Sequence, residues 1–301
     1  MKKIAIIGAT GYIGRSLLEE FIQEEYTVYA FSRTDSGVKS LLRAKNCNGY
    51  LLDDFRSFEY DVVINCAGVG DPKVLKNDPS QIFHVTEDTD SLVIRYLIEH
   101  PKALYINLSS GAVYGDNFKQ PIDLGTDSVF HVNLLSPNDY YAIAKINSEA
   151  KHRSMTTLNI VDLRVFAFFS RFVDTNGGFL MSEIVSCMKN KKVFETNAND
   201  IVRDYITQSD LFSLIKVVMQ QEKINDFFDV YSQKEVSKFE LLDFLKKKYN
   251  FEYRIKEVEV NKIALAKNIY YSRNKKAEKL GYFPKSSSLV GIEKELSELF
   301  G

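Results

Sequence analysis

A tyrosine four residues before a lysine sets both side chains on one face of a helix. A phenol, with an ordinary pKa near ~10, is a poor acid or base at neutral pH unless a cation lowers that value. Two such pairs occur, Tyr141 with Lys145 and Tyr271 with Lys275, and in a chain of 17 tyrosines the spacing alone proves nothing. Context separates them. Tyr141 follows an apolar run ending Asn107-Leu108-Ser109-Ser110, which reads as a strand returning to the C-terminal edge of a sheet, where open α/β proteins bind ligands. Tyr271 has no such neighbour. Ser110 would hydrogen-bond a reacting oxygen and hold it against Tyr141, while Lys145 and a cationic nicotinamide would lower the phenol's pKa. The chemistry this set suits is hydride transfer coupled to proton transfer at a carbinol or ketone.

Hydride transfer needs a dinucleotide, and Gly8-Ala9-Thr10-Gly11-Tyr12-Ile13-Gly14 stands where one would bind, after the apolar run Ile4 to Ile7 and before an amphipathic segment, Ser16 to Phe21. Free backbone amides at a helix N-terminus hold phosphate, and a last glycine lets helix and strand approach closely. Thr10, Tyr12 and Ile13 complete this turn with Gly8, Gly11 and Gly14. The second strand ends in Ser32 and Arg33 where an acid would hydrogen-bond the ribose hydroxyls of NAD. A guanidinium suits a 2′-phosphate, so NADP(H) is the preferred cofactor, with NAD(H) as the other candidate. Asp54 could accept from an adenine amino group while Phe55 packs on the ring; a helix N-cap is an equally ordinary role for Asp. Ala67 and Gly68 are small, as backbone passing under a cofactor requires and as close packing would also explain.

These residues need a βαβ frame to position them. Short apolar runs alternate with helix-length segments across the first half. The expected strands are Lys3 to Ile7, Thr27 to Ser32, Tyr50 to Leu52, Asp61 to Cys66, Ala103 to Leu108 and Asn159 to Val165. The expected helices run from Tyr12 to Gln23, Ser36 to Ala44, Pro79 to Glu99 and Asp139 to His152. Phe179 to Lys189 and Leu211 to Gln221 read as helices of a smaller lobe. The expected fold class is α/β, with a Rossmann-type doubly wound parallel sheet over residues 1–166. A smaller C-terminal α/β substrate-binding lobe takes residues 167–301, some of whose segments return to the first. No repeat or low-complexity linker separates the two, so they should form one cooperative unit.

Composition excludes several classes. At 301 residues the chain can bury a real core without disulfide staples. Its 39 Lys plus Arg nearly cancel 40 Asp plus Glu, so no basic field points to nucleic acid or an anionic membrane, and neither partner is expected. No apolar run approaches the ~18 residues of a spanning helix. The run after Met1-Lys2-Lys3 stops at Gly8, which fits a buried strand better than a signal peptide. Cys47, Cys66 and Cys187 are odd in number and far apart, and histidines number only four, so a reduced, cytoplasmic protein without a structural metal is expected.

Taken together, the sequence resembles the extended short-chain dehydrogenase/reductases that act on nucleotide sugars. The likeness rests on the Gly8 to Gly14 turn, Asp54-Phe55, Ser109 to Gly115, Tyr141 to Lys145, Leu163 to Phe166, Arg203-Asp204-Tyr205-Ile206 and Leu280 to Pro284. The resemblance implies a nucleotide-sugar substrate, with Ser110, Tyr141 and Lys145 as the catalytic set and Arg203 on the substrate's diphosphate or ribose. It also implies a homodimer through the helices Pro79 to Glu99 and Asp139 to His152. Relatives that eliminate water carry Asp-Glu directly after the catalytic Ser or Thr, and relatives that epimerise at C3 and C5 carry a Cys there. Here those places hold Gly111 and Ala112, leaving redox at one carbon. His84 and Ala167 replace asparagines usual in the family, and an insertion from Asp116 to Phe130 could lie over the substrate.

The leading expectation is an NADP-dependent reductase of a 4-keto, 6-deoxy nucleotide sugar in polysaccharide synthesis. A 4-epimerase or 4-dehydrogenase keeping NAD bound is the alternative, and a redox-inactive NADP-binding regulator is a third.

Overall fold

The computed structural model describes residues 1–41, 44–69, 78–256 and 267–301. Seven strands form one sheet: β1 (Lys3–Ile7), β2 (Thr27–Ser32), β3 (Cys47–Leu51), β4 (Val62–Asn65), β5 (Leu104–Ser110), β6 (Asn159–Val165) and β7 (Asn225–Asp229). Every pairing is parallel, in the order β7-β6-β5-β4-β1-β2-β3. Helices α1 (Tyr12–Ile22), α2 (Asp35–Ser40), α3 (Gln81–Glu99), α4 (Pro137–Ser154), α5 (Leu180–Asn190), α6 (Gln208–Val218), α7 (Lys238–Tyr249) and α8 (Ser288–Phe300) complete the regular structure discussed below. Of the expected helix Ser36 to Ala44, residues 42 and 43 lie outside the described set, and α2 ends at Ser40. Expected strand three begins earlier, at Cys47, and strand five runs on to Ser110.

Parallel strands covered on both faces must be apolar throughout, and β4 is buried at each of its positions. Alternate residues feed two cores. Ile4, Ile6, Val28 and Ile64 pack with Leu17 and Phe21 of α1 and Leu211 and Ile215 of α6. Ala5, Ile7, Phe31 and Val63 face the other way, toward Val93, Tyr96 and Leu97 of α3. A third core, with Ile184 of α5, Leu241 and Leu245 of α7 and Ile292 of α8, belongs to the later part of the chain.

Strand β7 was not expected, because Asn-Asp-Phe-Phe-Asp has no apolar run to announce it. Tertiary hydrogen bonds satisfy its polar ends. The Asn225 amide donates to the carbonyls of His152, Met155 and Leu158 at 3.0, 2.9 and 3.2 Å, and Asp229 accepts from Ser272 at 2.6 Å. Chain beyond Phe166 therefore supplies both β7 and α6 to the large layer.

The order of strands reverses between β1 and β4, and the crevice at their C-terminal ends is the place such sheets offer a ligand. A short three-stranded sheet, with Val202–Arg203 between Val236–Ser237 and Ile269–Tyr270, carries Arg203 and Tyr270 to the same edge. Among the described residues no helix is long and apolar enough to cross a membrane, and no His, Cys, Asp and Glu cluster is placed to hold a metal.

Candidate active site

The turn after β1 is shaped by two glycines. Gly8 takes φ +74°, in the left-handed region, and its carbonyl accepts from the Gly11 amide at 2.9 Å. A Cβ at position 14 would stand 2.1 Å from the Gly8 oxygen, so only glycine lets α1 start this close to β1. Helix α1 begins at Gly11 with no side-chain cap and no acid in its first turn, which leaves its amides available to an anion. Thr10 is exposed at the turn, and Ile13 packs against the core below it. Across the crevice, a Cβ on Gly8 would meet the Ala67 nitrogen at 2.9 Å, so Ala67 and Gly68 form its opposite wall.

The Tyr12 side chain does something other than face a cofactor. Its hydroxyl accepts from the Ser170 amide at 2.8 Å, and its ring stands edge-on to Phe168. Only its backbone remains for phosphate. The expected contact of Phe55 with an adenine ring is likewise corrected: the ring is wholly enclosed, 5.4 Å from Phe31, 5.1 Å from Tyr60 and 5.5 Å from Tyr96. An interior aromatic cluster gains more from that ring than an exposed groove would. Asp54 is exposed in the 3-10 turn Leu52–Ser57. Ser32 is buried, with its hydroxyl 3.4 Å from the Thr34 amide, whereas Arg33 is exposed and no described residue pairs with its guanidinium.

The structure gathers Ser110, Tyr141 and Lys145 at the C-terminal edge. A capping box, Ser136 with Asp139, and Pro137 start α4, which sets Tyr141 in its second turn and Lys145 one turn on. Lys145 is 4% exposed; its Nζ donates to the Leu108 carbonyl at 2.9 Å and lies 6.0 Å from the Tyr141 ring centre. A Cβ on Gly68 would be 3.8 Å from that nitrogen, so the ammonium reaches the crevice wall. The Ser110 hydroxyl accepts from the Ala112 amide at 3.2 Å and lies 3.3 Å from the Tyr270 hydroxyl. Behind Ser110, the Ser109 hydroxyl donates to Glu149 at 2.5 Å. Arg164 binds both oxygens of Glu149 at 3.0 Å and reaches the Tyr114 hydroxyl at 2.8 Å. That buried, fully paired set fixes the strand end.

Tyr270 is the residue that spacing does not single out. It lies beside Ser110, and burial pushes its phenol well above the usual range, with Tyr141 close enough to add to the effect. Its neighbour Tyr271, of the rejected Tyr–Lys pair, points the other way: its hydroxyl donates to Glu235 at 2.9 Å, while Lys275 reaches Glu278. Adjacency was the available signal, since in extended chain two neighbouring tyrosines turn to opposite sides and only one can face a site.

Two cations flank Tyr270. Arg203 Cζ and Lys267 Nζ each lie 5.6 Å from its ring centre. Arg203 donates to the carbonyls of Val202 and Lys267 at 2.8 Å, and Lys267 to that of Gly115 at 2.5 Å. Burial lowers both pKa values, and among the described residues neither cation has a carboxylate in salt-bridge contact. Phe118, in the insertion, packs 4.7 Å from Tyr270, so that segment does reach this site. His84 is exposed in the first turn of α3, and Ala167 is taken up in a strand pair with Tyr205.

Known proteins share this fold. A Methanocaldococcus jannaschii protein that carries the provisional name UDP-glucose 4-epimerase is 23% identical over 97% of this chain and 96% of its own. The crystal structure of a UDP-glucose 4-epimerase with UDP-glucose from Thermotoga maritima superposes with a TM-score of 0.82 at 19% identity, covering 99% and 98% of the two chains. That of a UDP-glucuronic acid 4-epimerase from Bacillus cereus, in complex with UDP-glucuronic acid and NAD, gives 0.78 at 17% identity with the same coverage. The family profile described as NAD dependent epimerase/dehydratase matches residues 4–230. With its glycine turn, its parallel sheet and most of its length in that match, the chain belongs to the NAD dependent epimerase/dehydratase family.

Proposed function

We propose that this protein is a nucleotide-sugar 4-epimerase that takes a hydride from one carbon of the sugar and returns it to the opposite face. The observation that carries this reading is the pair following Ser110. A Cβ at Gly111 would stand 2.3 Å from the Phe166 ring, so no acid, base or thiol fits there, and Ala112 has none to offer. Elimination of water needs such a second acid and base; oxidation and reduction at a single carbon do not. The full-length relative named for 4-epimerisation supports the same choice over the reductase.

The glycine turn suits a nicotinamide dinucleotide because it packs backbone on backbone at Gly8 and Gly14 and leaves the start of α1 without a side-chain cap. When bound, that cofactor supplies the hydride acceptor and donor. The amides of Tyr12 and Ile13 would hold its diphosphate, Ser32, Arg33 and Asp54 would face its adenosine, and Ala67, Gly68 and Lys145 would border its other ribose. Ser110 and Tyr141 hold the sugar's reacting oxygen, and Tyr141 takes and returns its proton beside the Lys145 cation. Arg203 and Lys267 present charge to the substrate's diphosphate.

One observation favours the NADP-dependent reductase as second reading: the exposed Arg33 at the end of β2, whose guanidinium pairs with none of the described residues. The test is to incubate the purified protein with UDP-glucose and no added nicotinamide, follow UDP-galactose by chromatography, and identify the nucleotide released on denaturation. UDP-galactose formed with NAD released supports the epimerase, and Tyr141→Phe should lower that rate by roughly a hundredfold or more while coenzyme stays bound. No turnover without added NADPH, with consumption of NADPH on a 4-keto sugar nucleotide, overturns it in favour of the reductase.

A further inference from the structure

Between α3, α4 and the sheet lies a buried charged cluster that the catalytic set does not use. The His152 ring has no exposure, and both its nitrogens meet carboxylates, Nε2 with Asp90 of α3 at 2.7 Å and Nδ1 with Asp162 of β6 at 2.9 Å. Two carboxylate partners make both nitrogens donors, so the ring is an imidazolium. Lys151 contacts Asp90 at 2.5 Å and Arg153 contacts Asp162 at 3.0 Å. A salt-bridge cluster this deep is poor value for stability compared with apolar packing, and such groups persist where they specify an arrangement.

The cluster leads to the crevice. Tyr105 of β5 donates to Asp90 Oδ1 at 3.0 Å and accepts from the Asn65 amide at 3.0 Å. The Asn65 carbonyl oxygen accepts from the Ala67 backbone nitrogen at 2.9 Å. A second arm runs from Asp162 through Asn107 at 2.7 Å, whose oxygen lies 3.4 Å from the same Asn65 amide. Asn65 is thus held from both ends of the His152 ion pair, and it in turn holds the wall opposite Gly8.

We propose that His152 is a positioning residue: through Tyr105 and Asn65 its ion cluster fixes the backbone of Ala67 and Gly68, and so the width of the crevice that receives the nicotinamide end of the cofactor. The inference rests on the dinucleotide reading given above. The groups facing the ring are Asp90, Asp162 and the edge of Tyr105, centroid 5.4 Å away, with Lys151 and Arg153 behind the two carboxylates. Loss of the ring proton at high pH leaves the imidazole one donor for two carboxylates, which loosens the anchor of the arms and slackens Asn65 and gives cofactor binding a pH dependence that needs Tyr105 to transmit it.

Tyr105→Phe tests this with the ion cluster left intact, and His152→Gln tests it at the source. Amide exchange at Ala67, measured in the cofactor-free protein against Ile64 of β4 as internal reference, should quicken by about tenfold in both variants. The Kd for NADH should rise about fivefold to tenfold at pH 7 in Tyr105→Phe, and the weakening of wild-type binding from pH 8 to 10 should shrink in that variant. Unchanged exchange at Ala67, or faster exchange with an unaltered Kd and pH profile, overturns the proposal and leaves the cluster a matter of fold alone. If wild-type protein binds neither NADH nor NADPH, the dinucleotide reading fails instead, and exchange at Ala67 still decides whether His152 holds this backbone.

Discussion

Under the dinucleotide reading proposed above, the choice between two coenzymes falls on one side chain, Arg33. Its guanidinium is exposed at the end of β2, and no described residue competes for it. A 2′-phosphate would gain a charge-assisted, bidentate contact there; the two free hydroxyls of NAD would gain little from it. Arg33→Ala should therefore weaken NADPH binding by roughly tenfold to a hundredfold and leave NADH within about twofold, read by fluorescence titration. Equal losses for both coenzymes would show that Arg33 supports the loop rather than the phosphate. At this scale the sequence was readable where backbone geometry dictates residue type, as at Gly8 and Gly14, whose contacts admit no Cβ. It was not readable where side-chain direction decides. Nothing in the order Asp54-Phe55 reveals that the phenyl ring turns inward to Tyr60, and nothing in Tyr270-Tyr271 says which ring faces Ser110 until the strand is known.

Helices α3 and α4 meet β5 and β6 through charge as well as apolar packing, and this gives their packing a pH limit. Burial alone would drive the proton off His152, but hydrogen bonds to Asp162 and Asp90 overcome that and push its pKa up to about 9. The folded value lies above the unfolded one, near ~6.5, so the stabilisation is full below pH ~6.5 and is lost as pH rises through about 9. Holding a proton over that span corresponds to about 3 kcal/mol, a large share of an ordinary domain's stability. Urea unfolding should accordingly give a free energy lower by roughly 2–3 kcal/mol at pH 9.5 than at pH 6.5, and His152→Gln should flatten that slope while lowering the pH 6.5 value. A wild-type slope equal to that of the variant would mean that the imidazolium does not form. Helical and strand periodicity made the elements around this cluster legible, since apolar spacing is local. The cluster was not, because Asp90, His152 and Asp162 are 62 and 10 residues apart in sequence and pair only once the sheet is folded. Strand β7 escaped for the same reason, its polar residues being satisfied by partners on α4 and after Tyr271.

For the molecule as a whole, the question is whether the first 166 residues make a unit that could stand without the rest. The sheet argues against it. Strand β7 covers the edge of β6, with Asn225 to Asp229 paired along Ile160 to Arg164, and α6 covers the face that α1 leaves open, Phe21 meeting Phe212 with ring centres 4.8 Å apart. Five buried apolar side chains of α6, Leu211, Phe212, Leu214, Ile215 and Val218, would leave with it. At about 1.5–3 kcal/mol each they amount to roughly 7–15 kcal/mol, the whole stability of a typical domain. The family match ends at residue 230, just past β7, which fits a folding unit that includes both elements. A fragment of residues 1–166 should therefore show no cooperative thermal transition by circular dichroism and should bind ANS, whereas the full chain should melt in one step. A sharp melt from the fragment near the full-length Tm would show that β6 tolerates an open edge and that the later segments only dock on a finished sheet. The binding geometry makes the first outcome the consistent one, because Tyr270 reaches Ser110, and Arg203 the Tyr270 ring, on chain that enters the site after α7 and after α5. A first unit that folded alone would hold the turn, Tyr141 and Lys145, but would have neither cation that faces the substrate's diphosphate in the proposed reaction.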